Sequence, residues 1–230
     1  MFHNSSEIIG VSSAAQKIFA RNSKRHVIDN NGIVYLQEDR ADRLYIVLSG
    51  YVRLSYIMED GTDILYNIIS PGRSFGELGV FENSCYQDTA SVVGQVSVLS
   101  IRSELFHSEE PGTSEMRAVL GTLVAKRYQD YLELSRCLYR NSLSVRLAMC
   151  LVKLIKNLGR EVSIGGRLYP YLGEVVTQRD LGAMARGTRG NVNRLLKKWE
   201  KHGLVALQDR KIIIRNLSQL EFVASGVGEQ

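Results

Sequence analysis

The sequence has no run of about 18 consecutive apolar residues, the length that a membrane-spanning helix requires. Its first residues, MFHNSSEIIG, lack the basic start and the long apolar stretch of a secretory signal. We therefore expect a cytoplasmic protein without a membrane anchor.

Cysteine and histidine are scarce. The three cysteines, Cys85, Cys137 and Cys150, lie far apart in the sequence and cannot supply the four thiolates of a zinc or iron–sulfur cage. Separated thiols in a reducing compartment are usually packing residues, although Cys85 is a candidate for an oxidisable thiol. Residues 27–106 contain no histidine, which argues against a cupin-like metal oxygenase with its clustered histidines. The sequence predicts no metal and no cofactor.

The motifs of three large enzyme classes are absent as well. The sequence contains no H-E-x-x-H, no G-x-S-x-G and no Walker-type phosphate loop. These motifs carry zinc ligands, a nucleophilic serine and phosphate-binding amides, respectively. We therefore predict a protein that is not an enzyme, and we assign no catalytic residue.

Positive charge is concentrated in the C-terminal part of the chain. Residues 142–230 carry 15 Lys or Arg and 7 Asp or Glu, a net charge of +8, whereas residues 1–141 carry 14 and 17, a net charge of −3. Such an asymmetry indicates that one half of the protein meets a polyanion. A membrane surface is the alternative to nucleic acid, but the basic residues lie among helix and hairpin signals with no apolar anchor.

The basic half contains a helix–turn–helix pattern over residues 177–201, TQRDLGAMARGTRGNVNRLLKKWEK. Thr177 and Thr188 are suitable N-caps for two helices, and Arg186-Gly187 breaks the chain between them. The second helix carries an apolar stripe at helical spacing, formed by Val192, Leu195, Leu196 and Trp199. A helix pair of this kind is typical of proteins that read the major groove.

The other face of the second helix is basic. Residues 186–201 hold six Lys or Arg against a single acid, Glu200. Two β-prone runs follow, at 203–207 and 211–214, around the polar turn 208–210, which predicts a hairpin or wing. An amphipathic helix pair with merely solvated charges is the alternative, and the wing favours DNA binding over it.

Residues 26–106 are predicted to form β-structure, after a short helix over 12–25 that carries Ala14, Ala15, Ile18 and Phe19. Turn residues separate the β-prone runs at intervals typical of a barrel or a jelly roll. The predicted strands cover 33–36, 44–48, 52–58, 64–69 and 92–101. Within this region, Gly76-Glu77-Leu78 predicts either a brief helix whose free N–H groups suit an anion or a tight turn.

A long helix is predicted over 115–140, after a break at 108–114. Its apolar positions recur at spacings of four and three, like a coiled-coil seam, and predict a dimer contact. The seam positions are Leu120, Val124, Arg127, Tyr131, Leu134 and Leu138. Because a charge within a seam needs a partner, Arg127 is expected to pair with a residue from elsewhere, and Glu77 is the candidate.

A hinge is predicted at Asn141-Ser142, between the seam helix and the basic half. The helix that follows runs to Leu158, and Gly159 suits its C-terminal cap. Residues 160–176 are β-prone connectors that lead into the helix–turn–helix pattern.

This order of a β-roll, a seam helix and a winged helix-turn-helix resembles the cyclic-AMP receptor / fumarate–nitrate reduction regulator (CRP/FNR) family of bacterial transcription factors. The resemblance runs over about residues 14–215, and its most specific parts are FGELGVF (75–81) and the block 177–205. It implies an α+β fold with three segments. These are a β-roll of the jelly-roll, cyclic-nucleotide-binding type (1–112), a dimerisation helix (113–141) and a winged helix-turn-helix DNA-binding domain (142–230).

The resemblance also implies a homodimer that reads a pseudo-palindromic site on double-stranded DNA, with half-sites about 34–36 Å apart, and that contacts RNA polymerase. Arg189 and Arg194 match the positions that read guanine, and Thr177 matches a residue that contacts the DNA backbone. Gly190 departs from the glutamate of cyclic-AMP receptors, so the half-site should differ at that base pair. The implied DNA-binding residues are Thr177, Gln178, Thr188, Arg189, Gly190, Asn191, Asn193, Arg194 and Lys197.

By the same resemblance, the roll holds the effector site. The implied residues are Gly76, Glu77, Leu78, Asp88, Thr89, Arg127 and Tyr131. Cyclic-nucleotide binders hold the phosphate with an arginine where this sequence has Asp88, and a carboxylate about 4 Å from a phosphate costs about 4 kcal/mol at an effective dielectric constant near 20. We therefore predict a regulator whose effector is absent or is not a standard cyclic nucleotide. The alternatives are a cAMP- or cGMP-responsive regulator with an atypical phosphate site, and a roll that docks only to other proteins.

Overall fold

The computed structural model describes residues 13–108, 114–173 and 175–227, and for residues 13–15 it describes the backbone alone. Most of the predicted break at 108–114 and the side chains of Ala14 and Ala15 thus lie outside the described part. The chain divides into two compact units, residues 1–131 and 132–230. The long helix, predicted as a segment of its own, contributes to both units.

The N-terminal unit is built on an antiparallel sheet. Among the described residues, its strands are β1 (Ser23–Ile28), β2 (Ile33–Tyr35), β3 (Arg43–Ile57), β4 (Asp63–Ile69), β5 (Ser74–Phe75) and β6 (Thr89–Arg102). The helices are α1 (Ser13–Asn22), α2 (Glu77–Glu82), α3 (Glu104–His107) and the first part of α4 (Ser114–Leu138). The strand order is β1-β6-β3-β4, with β2 paired to β6 and β5 paired to β3. This arrangement confirms the predicted β-roll.

Two boundaries differ from the prediction. The first helix ends at Asn22 rather than at residue 25, because residues 23–28 form β1 and pair with β6. The runs 44–48 and 52–58, predicted as separate strands, form the single strand β3. In both places the pairing with the long strand β6 overrides the local signal.

Ser49-Gly50 bends β3 instead of ending it. The register between β3 and β6 shifts between Val47 and Ser49 and again between Ser49 and Tyr51, which marks β-bulges. Gly50 has a φ of 79°, and a Cβ at this position would lie 2.7 Å from the carbonyl oxygen of Gln95. Glycine alone combines a positive φ with the absence of a Cβ. A bulge at this position therefore contains the kind of residue that is also typical of a turn.

The core of the roll is closed by helix α4. Phe19 of α1, Phe75 of β5 and Phe106 of α3 are almost completely buried in one cluster. Met116 and Leu120 of α4 belong to the same cluster. Complete burial of a side chain of this size contributes about 1.5–3 kcal/mol, so the apolar stripe of α4 is needed by the chain's own roll.

The C-terminal unit contains the end of α4 and a second antiparallel sheet. Its helices are α5 (Leu143–Leu158), α6 (Gln178–Met184), α7 (Arg189–Lys201) and α8 (Leu217–Ser225). Its strands are β7 (Glu161–Ile164), β8 (Arg167–Leu172), β9 (Val205–Gln208) and β10 (Lys211–Ile214), in the order β7-β8-β10-β9. The predicted helix to Leu158 and its Gly159 cap are confirmed, with Gly159 at a φ of 58°.

Helix α8 was not predicted, although its end signals are present in the sequence. The Asn216 side chain accepts a hydrogen bond of 3.0 Å from the N–H of Gln219, as an N-cap does. Gly226 follows the last turn with a φ of 73°. These two residues, read as a pair of caps, would have located the helix.

Gly79 offers a test of how tightly the roll is packed. A Cβ at this position would lie 2.5 Å from the Cys85 carbonyl oxygen and 2.6 Å from the Ala41 Cβ. We expect Gly79→Ala to lower the free energy of unfolding of the N-terminal unit by about 1–3 kcal/mol, because both neighbours must move. Urea denaturation followed by circular dichroism measures the change.

Gly190→Ala is the matched control. The atom nearest to its added Cβ is the Thr188 Oγ1 at 3.9 Å, and the residue is inside helix α7. The control should raise stability by about 0.5–1 kcal/mol, since alanine is the better helix former. Equal effects of the two substitutions would contradict the packing at Gly79.

Candidate nucleic-acid interface and effector site

Helices α6 and α7 and the turn between them form the predicted helix-turn-helix. Thr177 caps α6, and Thr188 caps α7 by accepting a hydrogen bond of 3.1 Å from the N–H of Asn191. Arg186 lies in the left-handed region, with a φ of 49°, and ends the first helix where the sequence predicted a break. The caps and the break were therefore correctly located.

The two faces of α7 differ as predicted. Val192, Leu196 and Trp199 are buried, while Leu195 is only half-buried. Most of the predicted DNA-binding residues share the exposed side, namely Thr177, Thr188, Arg189, Gly190, Asn191, Arg194 and Lys197. Gln178 and Asn193 are half-buried. The structure thus presents arginine and lysine on a helix face that is free of contacts to the apolar interior of its own unit.

Arg194 is held in place by its neighbour one turn away. Its Nη2 donates a hydrogen bond of 2.7 Å to the side-chain oxygen of Asn191. The sequence assigned Asn191 a base contact of its own. In the structure its oxygen accepts from the Arg194 guanidinium and thereby orients it. Because the guanidinium is planar, the directions of its remaining N–H donors are then fixed as well.

Thr177 does not have the free donors that the prediction assumed. Its backbone N–H and its hydroxyl both donate to Asp180 Oδ2, each at 2.7 Å, and its hydroxyl accepts from the Asp180 N–H at 3.1 Å. This reciprocal arrangement is a capping box, with aspartate in the position that glutamate usually takes. Both donors are used within the chain in this conformation, so a phosphate contact through the Thr177 amide or hydroxyl, which stays a prediction, would have to share or replace one of these bonds.

The wing is a tight hairpin fixed to α7. Asp209 and Arg210 occupy its turn with φ values of 49° and 59°, the pattern of a two-residue type I′ turn. Glu200 of α7 accepts a hydrogen bond of 2.8 Å from the N–H of Leu207 in β9. The sequence showed Glu200 only as the one acid among six basic residues, and its use as a wing anchor could not be deduced from that pattern.

Arg146 was missed by the sequence analysis. Its Nε donates to the Ala185 carbonyl oxygen at 2.6 Å, and its Nη1 donates to the carbonyl oxygens of Arg140 and Asn141 at 2.6 and 2.8 Å. The guanidinium thus satisfies backbone oxygens at the hinge after α4 and at the end of α6. No local pattern reveals this role, since an arginine inside a helix usually faces solvent.

In the roll, the predicted partner of Arg127 is confirmed. The Nε of Arg127 lies 2.5 Å from Glu77 Oε1, and its Nη2 donates to the Ser74 carbonyl oxygen at 2.9 Å. Both charged side chains are buried. Burial, the largest single influence, lowers the pKa of Arg127, but the charge and hydrogen bond of Glu77 together with Tyr66 and Asp130 outweigh it, so this pKa is raised above its ordinary value.

Asp88 lies in a cage of tyrosines. Its Oδ1 accepts a hydrogen bond of 2.7 Å from the Tyr35 hydroxyl, and its Oδ2 accepts one from the Tyr66 hydroxyl. The ring of Tyr66 stacks on that of Tyr131, with centroids 5.3 Å apart. Burial raises the pKa of Asp88, and the hydrogen bonds from Tyr66 and Tyr35 act in the opposite direction. The carboxylate is satisfied by the protein itself.

Five of the predicted effector residues do line one cavity. They are Gly76, Glu77, Leu78, Asp88 and Arg127. The other two have different roles, since Thr89 accepts a hydrogen bond of 3.0 Å from the Gln37 N–H and Tyr131 packs on Tyr66. The cavity holds about 10 Å³, which is room for a single water molecule, whereas ligand pockets usually measure about 300–1,000 Å³.

One oxygen at this cavity has no partner. Among the buried side-chain nitrogen and oxygen atoms of the described residues, Glu77 Oε2 is the one without a hydrogen bond. A water molecule or a hydroxyl group in the cavity would satisfy it. The site therefore keeps one feature of a hydroxyl-binding pocket while lacking the volume for a large ligand.

The predicted dimer seam faces mostly inward. Leu120 is buried in the roll and Arg127 is buried against Glu77. The remaining seam residues, Val124, Tyr131, Leu134 and Leu138, are half-buried. A sequence does not tell whether an apolar helix stripe packs on its own domain or on a second chain, and for the half-buried seam residues a contact with a second chain stays a prediction.

A different stripe of α4 is left open. Ala118, Ala125, Tyr128 and Leu132 are exposed, and the Cβ direction of Gly121 meets open space. These five positions also follow a spacing of three and four, and they lie about one residue, or 100°, around the helix from the predicted seam. Helix α4 therefore offers two faces for a contact between chains, the half-buried seam residues and this stripe.

The described part of the chain contains no helix of the length and apolarity that a membrane span needs. Nor do its described side chains bring together three or more metal-ligating groups.

Comparison with known proteins divides the chain in the same order. Residues 25–109 match the family model of the cyclic nucleotide-binding domain, and residues 145–223 match that of the Crp-like helix-turn-helix domain. The first match covers the β-roll, and the second covers the unit that contains α6, α7 and the wing.

Curated relatives span most of the chain. A CRP-like cAMP-activated global transcriptional regulator of Mycobacterium tuberculosis is 25% identical over 187 residues, which is 81% of this chain and 82% of that protein. The cyclic AMP receptor protein of Thermus thermophilus is 26% identical over 195 residues, 84% of this chain and 85% of that protein.

Solved structures agree on the fold. The structure of FixK2 from Bradyrhizobium japonicum superposes with a TM-score of 0.72 at 20% identity and covers 87% of this chain and 96% of its own. That of the c-di-GMP responsive global regulator CLP of Xanthomonas campestris gives 0.72 at 22% identity, covering 88% and 98%. Since a roll of the cyclic-nucleotide-binding type and a Crp-like helix-turn-helix follow each other in one chain, this protein belongs to the CRP/FNR family of transcription regulators, a family without enzymatic activity.

Proposed function

We propose that this protein regulates transcription as a homodimer that reads a specific DNA sequence with α7, and that its roll takes no standard cyclic nucleotide. The exposed basic face of α7 is the observation that carries the proposal. Charge supports it, because residues 142–230 have a net charge of +8. A duplex is the polyanion for which a helix and a wing of this size are suited.

Arg189 and Arg194 are proposed to read bases. Both are exposed on α7, and the guanidinium of Arg194 is already oriented by Asn191. A planar fork of donors matches the O6 and N7 acceptors of guanine, and each bidentate contact contributes about 1–3 kcal/mol of discrimination. Gly190 adds no side chain between them, so the base pair that it faces is proposed to be read by neighbours or left unread.

The open stripe of α4 is proposed to pair with the same stripe of a second copy. Its small residues, Ala118, Gly121 and Ala125, allow two helices to approach closely, and Tyr128 and Leu132 add apolar area. Tyr128 is 62% exposed in the single chain, which is a large apolar surface to leave in water. Two-fold pairing would present α7 twice, as a pseudo-palindromic site requires.

The effector part of the proposal depends on Asp88 and on the cavity volume. Asp88 lies where the family's arginine would hold a cyclic phosphate, and its two oxygens accept from Tyr35 and Tyr66. A bound cyclic nucleotide would have to open a void of about 10 Å³ and to tolerate a carboxylate beside its phosphate. No contact among the described residues favours opening the cavity or placing a phosphate beside this carboxylate.

A cyclic-nucleotide-responsive regulator is the second candidate. The unpartnered Glu77 Oε2 favours it, since this oxygen could accept a ribose hydroxyl. The relatives from Mycobacterium tuberculosis and Thermus thermophilus, which carry cyclic AMP in their names, point the same way. The first candidate is preferred because the volume and the charge both oppose a nucleotide.

The DNA-reading prediction concerns Arg189. After a preferred site has been selected from random duplexes, Arg189→Ala should weaken binding to it by about 1–3 kcal/mol and abolish the preference over a scrambled duplex. Arg194→Lys should keep the charge and the salt dependence but lose selectivity, because a lysine cannot make the bidentate contact. Fluorescence anisotropy at a fixed salt concentration measures both.

Lys156→Ala serves as the control for lost charge. Lys156 lies on α5 and pairs with Glu221, so its removal should leave selectivity unchanged. If Arg189→Ala selects the same sites as the parent protein, Arg189 is not a reading residue.

The dimer prediction concerns Ala125 and Tyr128. Ala125→Glu and Tyr128→Glu should each give particles with the mass of one chain, since two like charges would meet at the centre of the contact. Lys126→Glu, which changes charge on the side of α4 away from the stripe, should leave the dimer intact. Sedimentation velocity distinguishes the two forms. Dimers in both stripe variants would place the contact elsewhere.

Calorimetry tests the prediction that the roll binds no standard cyclic nucleotide. Titration with cAMP or cGMP should show no saturable heat, which corresponds to a Kd above about 1 mM. Asp88→Asn, which removes the charge and keeps an acceptor for a tyrosine hydroxyl, is the matched variant. Micromolar binding to the unmodified protein would favour the second candidate, and binding to the variant alone would identify the Asp88 charge as the obstacle.

A further inference from the structure

Cys137 and Cys150 face each other in the C-terminal unit. Their Sγ atoms are 3.9 Å apart, although the residues lie on different helices, α4 and α5. The sequence suggested separate packing thiols, and the structure places the two thiols side by side. The chain turns between the two helices at residues 141–142 and brings the thiols together.

A groove gives small molecules access to the pair. It measures about 480 Å³ and is lined by both cysteines together with residues that include Leu134, Met149 and Met184. Each cysteine is 3% exposed, so the thiols lie at the base of the groove rather than on the surface. An oxidant of a few atoms can reach them, whereas a protein oxidoreductase would have to displace the surrounding helices.

The two thiols are not equivalent. The hydrogen bond with Cys150 lowers the pKa of Cys137, and the charges of Arg146 and Lys153 lower it further. The same hydrogen bond and burial raise the pKa of Cys150 well above its ordinary value. Of two thiols that share a hydrogen bond, the one with the lower pKa supplies more thiolate, which favours Cys137 as the nucleophile and Cys150 as its resolving partner.

We propose that Cys137 and Cys150 form a peroxide-oxidisable dithiol that closes to an intramolecular disulfide. The Cys137 thiol gives up its proton, and the thiolate attacks one oxygen of a hydroperoxide. The O–O bond breaks, the departing oxygen takes up that proton and leaves as water or an alcohol, and Cys137 becomes a sulfenic acid. The Cys150 sulfur then attacks Cys137 Sγ, the sulfenic oxygen leaves as water with the thiol proton, and the disulfide forms. Two electrons pass from the thiols to the peroxide.

Closure has a structural consequence near the hinge. A disulfide requires about 2.05 Å between the sulfur atoms, so the end of α4 and α5 must approach or their side chains must rotate. The Cys137 thiol also donates to the Arg146 carbonyl oxygen at 3.4 Å, and oxidation removes this donor. Arg146 in turn holds the carbonyl oxygens of Asn141 and Ala185. The disulfide is thus coupled to the segment that precedes α7, and an effect on DNA affinity rests on the function proposed above.

The chemical test uses the full chain with Cys85→Ser, which removes the exposed thiol. After treatment with hydrogen peroxide and denaturation, neither of the two remaining cysteines should react with a thiol reagent. Reduction with dithiothreitol should restore both thiols. Peptide mapping without reductant should show the 137 and 150 peptides linked, with the mass lowered by two hydrogen atoms. If both thiols remain titratable at a peroxide dose that oxidises free glutathione, the proposal is wrong.

Single substitutions separate the two roles. In Cys150→Ser, Cys137 should gain oxygen irreversibly, because no resolving thiol is present. In Cys137→Ser, Cys150 should react much more slowly, since burial still raises its pKa after the hydrogen bond with the Cys137 thiol has been removed. Cys150→Ala replaces the serine variant if that variant does not fold. Equal rates in the two variants would overturn the assignment of nucleophile and resolving thiol.

The regulatory arm compares the Kd for DNA of the reduced and the oxidised protein. A reversible change of about fivefold or more is expected, and Cys150→Ser should show no change that dithiothreitol reverses. Equal Kd values would overturn the coupling to DNA. Failure of the reduced protein to bind any duplex would count against the proposed function instead, and the peptide map would still decide whether the disulfide forms.

Discussion

The buried ion pair between Arg127 and Glu77 is the constraint on which the N-terminal unit depends. Loss of one partner from such a pair generally costs about 3–5 kcal/mol, because the other charge is left in a poorly solvated place. Arg127 must therefore point from α4 into the roll, and this requirement sets the rotation of the helix. With Arg127 and Leu120 directed inward, Ala118 and Ala125 are the residues that point away. This one interaction thus determines which side chains of α4 are buried in the roll and which face of the helix is available to another molecule.

The same ion pair borders the small cavity to which the family resemblance assigns an effector. Asp88 lines this cavity at the position where the resemblance implies an arginine, and Tyr35 and Tyr66 satisfy both of its oxygens. The sequence revealed the missing positive charge, since that depends on one residue. It could not reveal the tyrosine cage, because Tyr35, Tyr66 and Asp88 belong to different segments and meet only in the folded roll. Loss of a ligand-binding group and filling of its space are two separate events, and a motif comparison detects only the first.

Local signals were the ones that could be read correctly. Thr177, Thr188 and Gly159 were assigned as caps, and the wing was predicted from two β-prone runs around a polar turn, because each depends on a few neighbouring residues. Predictions failed where a distant contact decided the outcome. Gly50 was assigned to a turn although the pairing of β3 with β6 makes it a bulge, and the inward face of α4 is selected by the roll. Arg146 and the Cys137–Cys150 pair escaped notice because their partners are distant in the sequence or on another helix.

The bond between Glu200 and Leu207 has a consequence for the duplex itself. Because this contact ties the wing to α7, it restrains the distance between the two elements. The less this distance can adjust to the groove that it meets, the more of the adjustment falls to the duplex. Sequences that bend or narrow easily would then be favoured even at base pairs that no side chain touches. A single carboxylate of α7 would thereby make the deformability of DNA part of the recognised signal.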